Sequence, residues 1–259
     1  MKERLDIYIQ KLLNLDSRSK ANNLIKGDKI EVNGNIITKS GYLVSENDDI
    51  KLIGEVLKYV SRGGLKLEHA LDCFNIDLTG KVVLDIGSST GGFTDCALKY
   101  GASKVISVDV GSNQLHSSLR SNPRIELYEN TDIRDINKEC LKEVNVIVSD
   151  VSFISLTKII PFIYDLPKIE CMIMLIKPQF ECGKEVADKY KGVILDKDVH
   201  LSVIKGIISS FKEHGYYLND ITISPIKGGS GNIEYLAMFS KNKTDNSINY
   251  IELINTAFK

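Results

Sequence analysis

The chain has 259 residues and a formal net charge of −1, with an isoelectric point near 6.4. That length accommodates a large α/β domain with a sizeable core plus a small module, and the charge balance excludes a globally basic nucleic-acid coat while leaving room for a local basic face. No apolar run approaches the ~18 residues that a bilayer span needs, and Met1-Lys2-Glu3-Arg4-Leu5-Asp6 is too polar for a secretory signal, so a cytoplasmic location without a membrane partner is expected.

Leu5, Ile7, Tyr8, Leu12 and Leu13 recur at near-helical spacing and predict a first helix. Leu15-Asp16-Ser17-Arg18-Ser19 reads as a turn with an N-cap before a second helix through Ala21-Asn22-Asn23-Leu24-Ile25. After Gly27, Ile30-Glu31-Val32 and Ile36-Ile37-Thr38 flank Asn33-Gly34-Asn35, a strong hairpin signal, and Asp49-Ile50-Lys51-Leu52 closes a small α+β module over residues 1–52. Residues 53–62 read as a linker.

From about residue 66 the pattern alternates strand and helix. Strands are predicted at 82–87, 104–109, 125–128, 144–150, 171–177, 218–225 and 233–240, and helices near 92–100, 135–142, 155–164 and 198–213. Val144-Asn145-Val146-Ile147-Val148 has the near-continuous apolar character of a strand covered on both faces. Lys227-Gly228-Gly229-Ser230-Gly231 leaves no room for a helix between the last two strands, which should pair antiparallel at one edge. The expected class is therefore α/β, a Rossmann-like seven-stranded mixed sheet with its last strand antiparallel, over residues 63–242. Residues 243–259 form an extension in which Ile248, Tyr250-Ile251, Leu253-Ile254 and Phe258 suit a terminal helix.

The most specific segment is Val83-Leu84-Asp85-Ile86-Gly87-Ser88-Ser89-Thr90-Gly91-Gly92-Phe93, an apolar strand running into a glycine-rich turn and a helix. Asp109 ends the next strand, Val105-Ile106-Ser107-Val108-Asp109, and Val110 follows it. Strand, glycine turn and a following acid are the skeleton of an adenosine-cofactor site. A dinucleotide fold requires G-x-G-x-x-G, whereas here the glycines read G-x-x-x-G-G and Asp85 precedes the first by two residues. A carboxylate there repels a pyrophosphate but suits the cationic amino-acid end of S-adenosyl-L-methionine, and Asp109 can accept hydrogen bonds from ribose hydroxyls. The bland alternative is an ordinary tight strand-to-helix turn. Cys73, Cys96, Cys140, Cys171 and Cys182 lack C-x-x-C spacing and the four histidines lack ligand spacing, so reduced thiols and no metal are expected.

Ser61-Arg62-Gly63-Gly64-Leu65-Lys66-Leu67, the Asp85–Phe93 run, Asp109 to His116, Asp150-Val151-Ser152-Phe153-Ile154-Ser155-Leu156, Lys177-Pro178-Gln179-Phe180-Glu181 and Ser230-Gly231-Asn232-Ile233-Glu234-Tyr235 occur in order along the chain. Together they resemble the hemolysin-A (TlyA) family of ribosomal-RNA 2′-O-methyltransferases, from about residue 3 to 240. The family joins a small RNA-binding module, like one in a small-subunit ribosomal protein, to an FtsJ-like methyltransferase domain. The resemblance implies a Lys-Asp-Lys-Glu catalytic set at Lys66, Asp150, Lys177 and Glu234, cofactor contacts from the Gly87 turn and Asp109, and an adenine contact from Asp132. It also implies a cytidine ribose as target, in large-subunit and possibly small-subunit RNA within ribosomal subunits. The chain departs from the family in its linker, reading Leu57-Lys58-Tyr59-Val60 where Arg-x-Trp-Val can stand.

The chemistry is coherent with that set. A sugar hydroxyl must lose its proton as it attacks an electrophilic methyl, and a lysine accepts that proton only when burial or a neighbouring ammonium favours its neutral form. Lys177 is expected to be the base and Asp150 to aim it, with Lys66 and Glu234 positioning the hydroxyl. A structural ion pair between Lys177 and Asp150 is the competing reading. Arg4, Arg18, Lys20, Lys26 and Lys29 lie on or beside the first two helices and, with Arg62 at the end of the linker, are expected to hold RNA phosphates. By charge alone a merely solvated surface is the favoured reading, and only the resemblance of the module reverses it. The competing functions are a membrane-lytic hemolysin, a non-catalytic RNA-binding assembly factor and a small-molecule methyltransferase.

Overall fold

The computed structural model describes residues 2–15, 17–53, 58–243 and 248–259, so the middle of the 53–62 linker, with Val56 and Leu57, lies outside the described residues. The chain divides into two compact units, Met1–Leu57 and Lys58–Lys259.

The first unit runs β1 (Glu3–Arg4), α1 (Leu5–Leu12), α2 (Arg18–Lys26), β2 (Ile30–Val32), β3 (Asn35–Ile36), β4 (Leu43–Val44) and β5 (Ile50–Leu52). Ser17 caps α2 by accepting from the Lys20 amide. The hairpin turn forms at Asn33 and Gly34, with φ of 51° and 80°, the double left-handed geometry that makes Asn-Gly the preferred pair in a two-residue hairpin. β2 pairs antiparallel with both β3 and β5. The β1–β4 pair has no counterpart in the sequence reading, because two-residue strands are too short to show a period. Leu5, Ile9, Ala21, Ile25, Ile30, Val32 and Val44 form the core of this unit.

The second unit begins with α3 (Gly63–Phe74), followed by β6 (Val82–Ile86), α4 (Gly92–Lys99), β7 (Lys104–Val108), α5 (Ser117–Arg120) and β8 (Ile125–Tyr128). Its second half contains β9 (Val146–Ser149), α6 (Ile160–Ile163), β10 (Cys171–Ile176), α7 (Pro178–Glu181), α8 (Lys184–Lys189), α9 (Lys197–Glu213), β11 (Tyr217–Ile223), β12 (Tyr235–Ser240) and α10 (Tyr250–Ala257). The strands form one seven-stranded sheet in the order β11-β12-β10-β9-β6-β7-β8. Only β12 runs against the rest, antiparallel to β10 and to the edge strand β11. The mixed sheet with a reversed last strand is thus the one the sequence pattern predicts.

Successive side chains along a strand point to opposite faces, and the cores divide accordingly. Val83, Val105, Val148 and Ile173 pack with α3 and α4, through Leu67, Leu71, Phe93 and Ala97. Their neighbours Leu84, Ile106, Ile147 and Met172 pack on the other face against Val203, Ile204, Ile207 and Phe211 of α9. Every residue of β9 and β10 is buried, as for central parallel strands. The helix predicted near 135–142 is instead two 3₁₀ turns, Ile133–Asp135 and Lys138–Leu141, and the one near 155–164 is a 3₁₀ turn at Leu156–Lys158 followed by the short α6. In the first stretch Ile133 and Leu141 are the buried core residues, too few to sustain a longer amphipathic helix. In the second Leu156, Ile159, Ile160 and Ile163 are all buried, but Pro161, which lacks a backbone donor, stands in the first turn of α6 and breaks its continuity with the 3₁₀ turn. Among the described residues no helix is long and apolar enough to cross a membrane.

Candidate active site

Strand order reverses between β6 and β9, with β7 and β8 on one side and β10 and β12 on the other. In open α/β sheets ligands bind beyond the carboxyl ends of the strands at such a switch point. Gly87 ends β6 there, at φ +83°, and a Cβ on it would lie 2.9 Å from the carbonyl oxygen of Asp150. Neither the conformation nor the approach tolerates a side chain. Gly92 opens α4 equally tightly, since a Cβ would meet Ser61 Oγ at 2.3 Å and the Gly64 amide at 2.9 Å. The two glycines let the β6–α4 turn lie directly against the start of α3 and the end of β9.

A cavity of about 1210 Å³ opens at this point, lined by Gly87, Ser88, Ser89, Thr90, Gly92 and Phe93 of the turn and by Lys66, Asp150, Lys177 and Glu234. The four charged residues come from α3 and from the ends of β9, β10 and the β11–β12 connection, and the sheet brings them into one chain of contacts. Glu234, only 2% exposed, accepts from Lys66 Nζ at 2.7 Å. Lys66 lies 3.6 Å from Asp150 Oδ2, and Lys177 contacts Asp150 Oδ1 at 2.6 Å. Both lysines are 7% exposed. Two ammonium groups and two carboxylates balance in charge, which is what allows Lys66, Lys177 and Glu234 to be buried beside the partly buried Asp150. Gln179 and Ser152, which the sequence reading did not single out, extend the chain at its two ends. Gln179 Nε2 donates to Glu234 Oε1 at 3.1 Å, and Lys177 donates to Ser152 Oγ at 2.9 Å. The signal for both was their place beside Lys177 and Asp150 in the same strand-end motifs.

Asp85 lies beneath the turn, fully buried. Thr94 Oγ1 donates to its Oδ2 at 2.6 Å, while Oδ1 has no hydrogen-bond partner among the described residues. Burial pushes its pKa up to about 7, with the Thr94 hydrogen bond opposing and the Asp150 charge adding to the rise. A buried carboxylate oxygen without a donor fits a cationic group, as does the orphaned Ser88 Oγ beside it a polar ligand. Asp109 accepts from the Ser89 amide and the Gly111 amide, each at 2.7 Å, so it fixes the turn and keeps lone pairs for a hydroxyl. Val110 is 69% exposed beside it. Asp85, Gly91, Asp109, Val110 and Asp132 do not line the large cavity. Asp132 is held in a two-pronged pair by Arg134, at 2.9 and 2.7 Å, which lowers its pKa.

Phe153 is 90% exposed at the cavity, 4.8 Å from the Phe180 ring, and carries a φ of +65°. A left-handed backbone under a bulky aromatic costs ~1–3 kcal/mol and is concentrated at functional sites. Arg62, Lys158, Lys184 and Lys227 also line the cavity with exposed side chains. In the first unit Arg4 and Arg18 behave differently from the expectation of free phosphate contacts. Both bind Asp6, which is 1% exposed, at 2.9 and 2.7 Å. Lys20, Lys26 and Lys29 are exposed. Among the described residues no cluster of side chains could hold a metal ion.

The seven-stranded sheet with one reversed strand and the glycine turn beside an unsatisfied buried acid define an S-adenosylmethionine-dependent methyltransferase. Residues 59–241 match the FtsJ-like methyltransferase family and residues 3–50 match the S4 domain. The chain belongs to the FtsJ-like methyltransferase family and carries an S4 domain ahead of it. Hemolysin A of Brachyspira hyodysenteriae is 45% identical over 239 residues, 91% of this chain and 99% of that protein. The 23S rRNA (cytidine-2′-O)-methyltransferase TlyA of Campylobacter jejuni is 37% identical over 258 residues, 92% and 100% of the two chains. A solved structure of a hemolysin-named protein from Streptococcus thermophilus has a TM-score of 0.74 at 35% identity, covering 99% of this chain and 95% of that one.

Proposed function

We propose that this protein transfers a methyl group from S-adenosyl-L-methionine to a ribose 2′-hydroxyl of ribosomal RNA, that of a cytidine, in the setting of a ribosomal subunit in the cytoplasm. The observation that supports this most directly is the buried Lys66–Glu234 and Asp150–Lys177 cluster opening onto the cavity beside the glycine turn.

The cofactor, when bound, supplies an electrophilic methyl group on a sulfonium. Gly87 to Phe93 suit its backbone-facing side, Asp85 its ammonium, and Asp109 with Val110 its ribose end. Asp132 in its pair with Arg134 is an adenine contact only if that pair reorganises. Lys177 takes the proton of the attacking hydroxyl as the oxygen forms its new bond, Asp150 aims the amine, and Lys66 with Glu234 holds the ribose. The Phe153–Phe180 pair offers an aromatic face to an unstacked base. Arg62, with Lys158, Lys184 and Lys227, meets flanking phosphates, and Lys20, Lys26 and Lys29 of the S4 unit add further phosphate contacts. Arg4 and Arg18, which are tied to Asp6, act there mainly by shaping that unit.

The test is transfer of labelled methyl from S-adenosylmethionine to unmodified ribosomal subunits, with Lys177→Ala beside the wild type. Label in 2′-O-methylcytidine that the variant fails to introduce is the expected result. Equal incorporation by Lys177→Ala would remove Lys177 as base, and release of dye from liposomes without methyl transfer would favour a membrane-lytic activity instead.

A further inference from the structure

We infer that Ser152 is a positioning residue for Lys177, fixing the direction in which the amine presents its lone pair. The inference rests on the reading of Lys177 as the base. A lysine ammonium has three N–H vertices besides its carbon stem. At Lys177 one is directed to Asp150 Oδ1 at 2.6 Å and a second to Ser152 Oγ at 2.9 Å. The proton on the remaining vertex is the one to be shed, and the electron pair it leaves behind then lies along that direction. The two surviving N–H groups stay with Asp150 and Ser152, so the neutral amine cannot turn about its Cε–Nζ bond without giving up a hydrogen bond.

Asp150 alone cannot do this. A single acceptor fixes one vertex and leaves the lone pair free to exchange between the other two, one of which is misdirected. Asp150 also lies 3.6 Å from Lys66, so it is shared between two ammonium groups. Among the described residues the Ser152 hydroxyl has no such second claim, and it accepts the bond without adding charge to the site. The location supports the assignment. Ser152 stands two residues past Asp150, which itself follows directly on β9, and the chain turns at once through the left-handed Phe153, φ +65°. Ser152 is itself exposed, so its hydroxyl does not support the core and its loss leaves packing intact.

The test uses the full-length chain and single-turnover methyl transfer to ribosomal subunits lacking the modification. Ser152→Ala is expected to lower the transfer rate by roughly 10- to 100-fold, the usual effect of misaligning a reacting group, while KM for the subunit and Kd for S-adenosylmethionine hold. Ser152→Thr, which keeps a hydroxyl, should recover most of the rate. In a Lys177→Ala background, removing the serine should cost nothing more, because its effect passes through the lysine. A Ser152→Ala enzyme as fast as wild type would overturn the inference, as would a loss confined to KM or a full additional loss on top of Lys177→Ala. If Lys177→Ala itself were as fast as wild type, the base assignment would fall first and the role of Ser152 with it.

Discussion

Asp85 sits in an environment that suits a ligand, since it is fully buried, has one oxygen without a donor among the described residues, and its pKa is pushed up to about 7 by burial. A cationic ligand favours the ionised carboxylate. Below about pH 7 the free protein must therefore release a proton on binding, and affinity should weaken by up to about tenfold per pH unit. Calorimetric titration with S-adenosylmethionine between pH 5.5 and 7 should show this slope, and Asp85→Asn should bind weakly with the slope gone. A pH-independent affinity in the wild type would separate Asp85 from the ammonium. Phe153 makes a second residue-scale case. Its exposed ring is expected to stack on a base, an interaction of ~1–3 kcal/mol, so Phe153→Ala should raise KM for RNA about tenfold or more while cofactor Kd stays constant. An unchanged KM would assign the ring another role. Lys66, Asp150, Lys177 and Glu234 were legible in sequence because each stands inside a distinctive motif shared with the family. Their joining into one buried chain of ion pairs was not, because the contact between Lys66 and Glu234 spans 168 positions.

At the scale of elements, the β6–turn–α4 unit and its contact with the end of β9 carry the site. Gly87→Ala forces a side chain at φ +83° against the Asp150 carbonyl oxygen 2.9 Å away. The expected cost is ~1–3 kcal/mol of stability, together with a fall in methyl transfer of about 100-fold or more as Asp150 and the turn separate. Thermal melting and single-turnover rates measure the two effects, and a fully active Gly87→Ala protein would show that the close approach is dispensable. The strands of the large sheet were readable because apolar side chains repeat along them and glycine turns bound them. The stretches around 135–142 and 155–164 misled for the opposite reason. They contain helix-compatible residues, but the first buries few side chains and is spanned by 3₁₀ turns. The second, although Leu156, Ile159, Ile160 and Ile163 are buried, is broken at Pro161 into a 3₁₀ turn and the short α6.

The whole molecule combines two compact units with different electrostatic organisation. In the first, hydrogen bonds from Arg4 and Arg18 hold Asp6 at a pKa of about 2 against the opposing effect of burial. Because that value is lowered relative to the unfolded chain, where an aspartate titrates near ~3.9, the stabilisation is complete above about pH 4. It is lost as pH falls toward 2. Hydrogen exchange of the full chain should therefore lose protection in α1 and α2 over that window, and Asp6→Asn should show the loss already at neutral pH. Protection unaffected by either change would mean that the apolar core alone holds this unit. The second unit places Arg62, Lys158, Lys184 and Lys227 around its cavity. Replacing the three lysines with glutamine should flatten the dependence of log RNA affinity on log salt by about two to three, near one per lost phosphate contact. An unchanged slope would place the phosphates elsewhere.

The amino-acid sequence determined the strands, the glycine turn and the acids beside it, because local periodicity and turn chemistry write these directly into the order of residues, and its family motifs singled out Lys66, Asp150, Lys177 and Glu234. Only the tertiary structure decided which of them meet. It joined Glu234 to Lys66 and Gln179, gave Lys177 both Asp150 and Ser152, and left one Asp85 oxygen without a donor among the described residues. It also withdrew Arg4 and Arg18 into a pair of salt links with a buried aspartate. The physical reason is the same in each case: burial sets the strength of a charge, and burial belongs to the packed sheet and helices rather than to any segment of the chain.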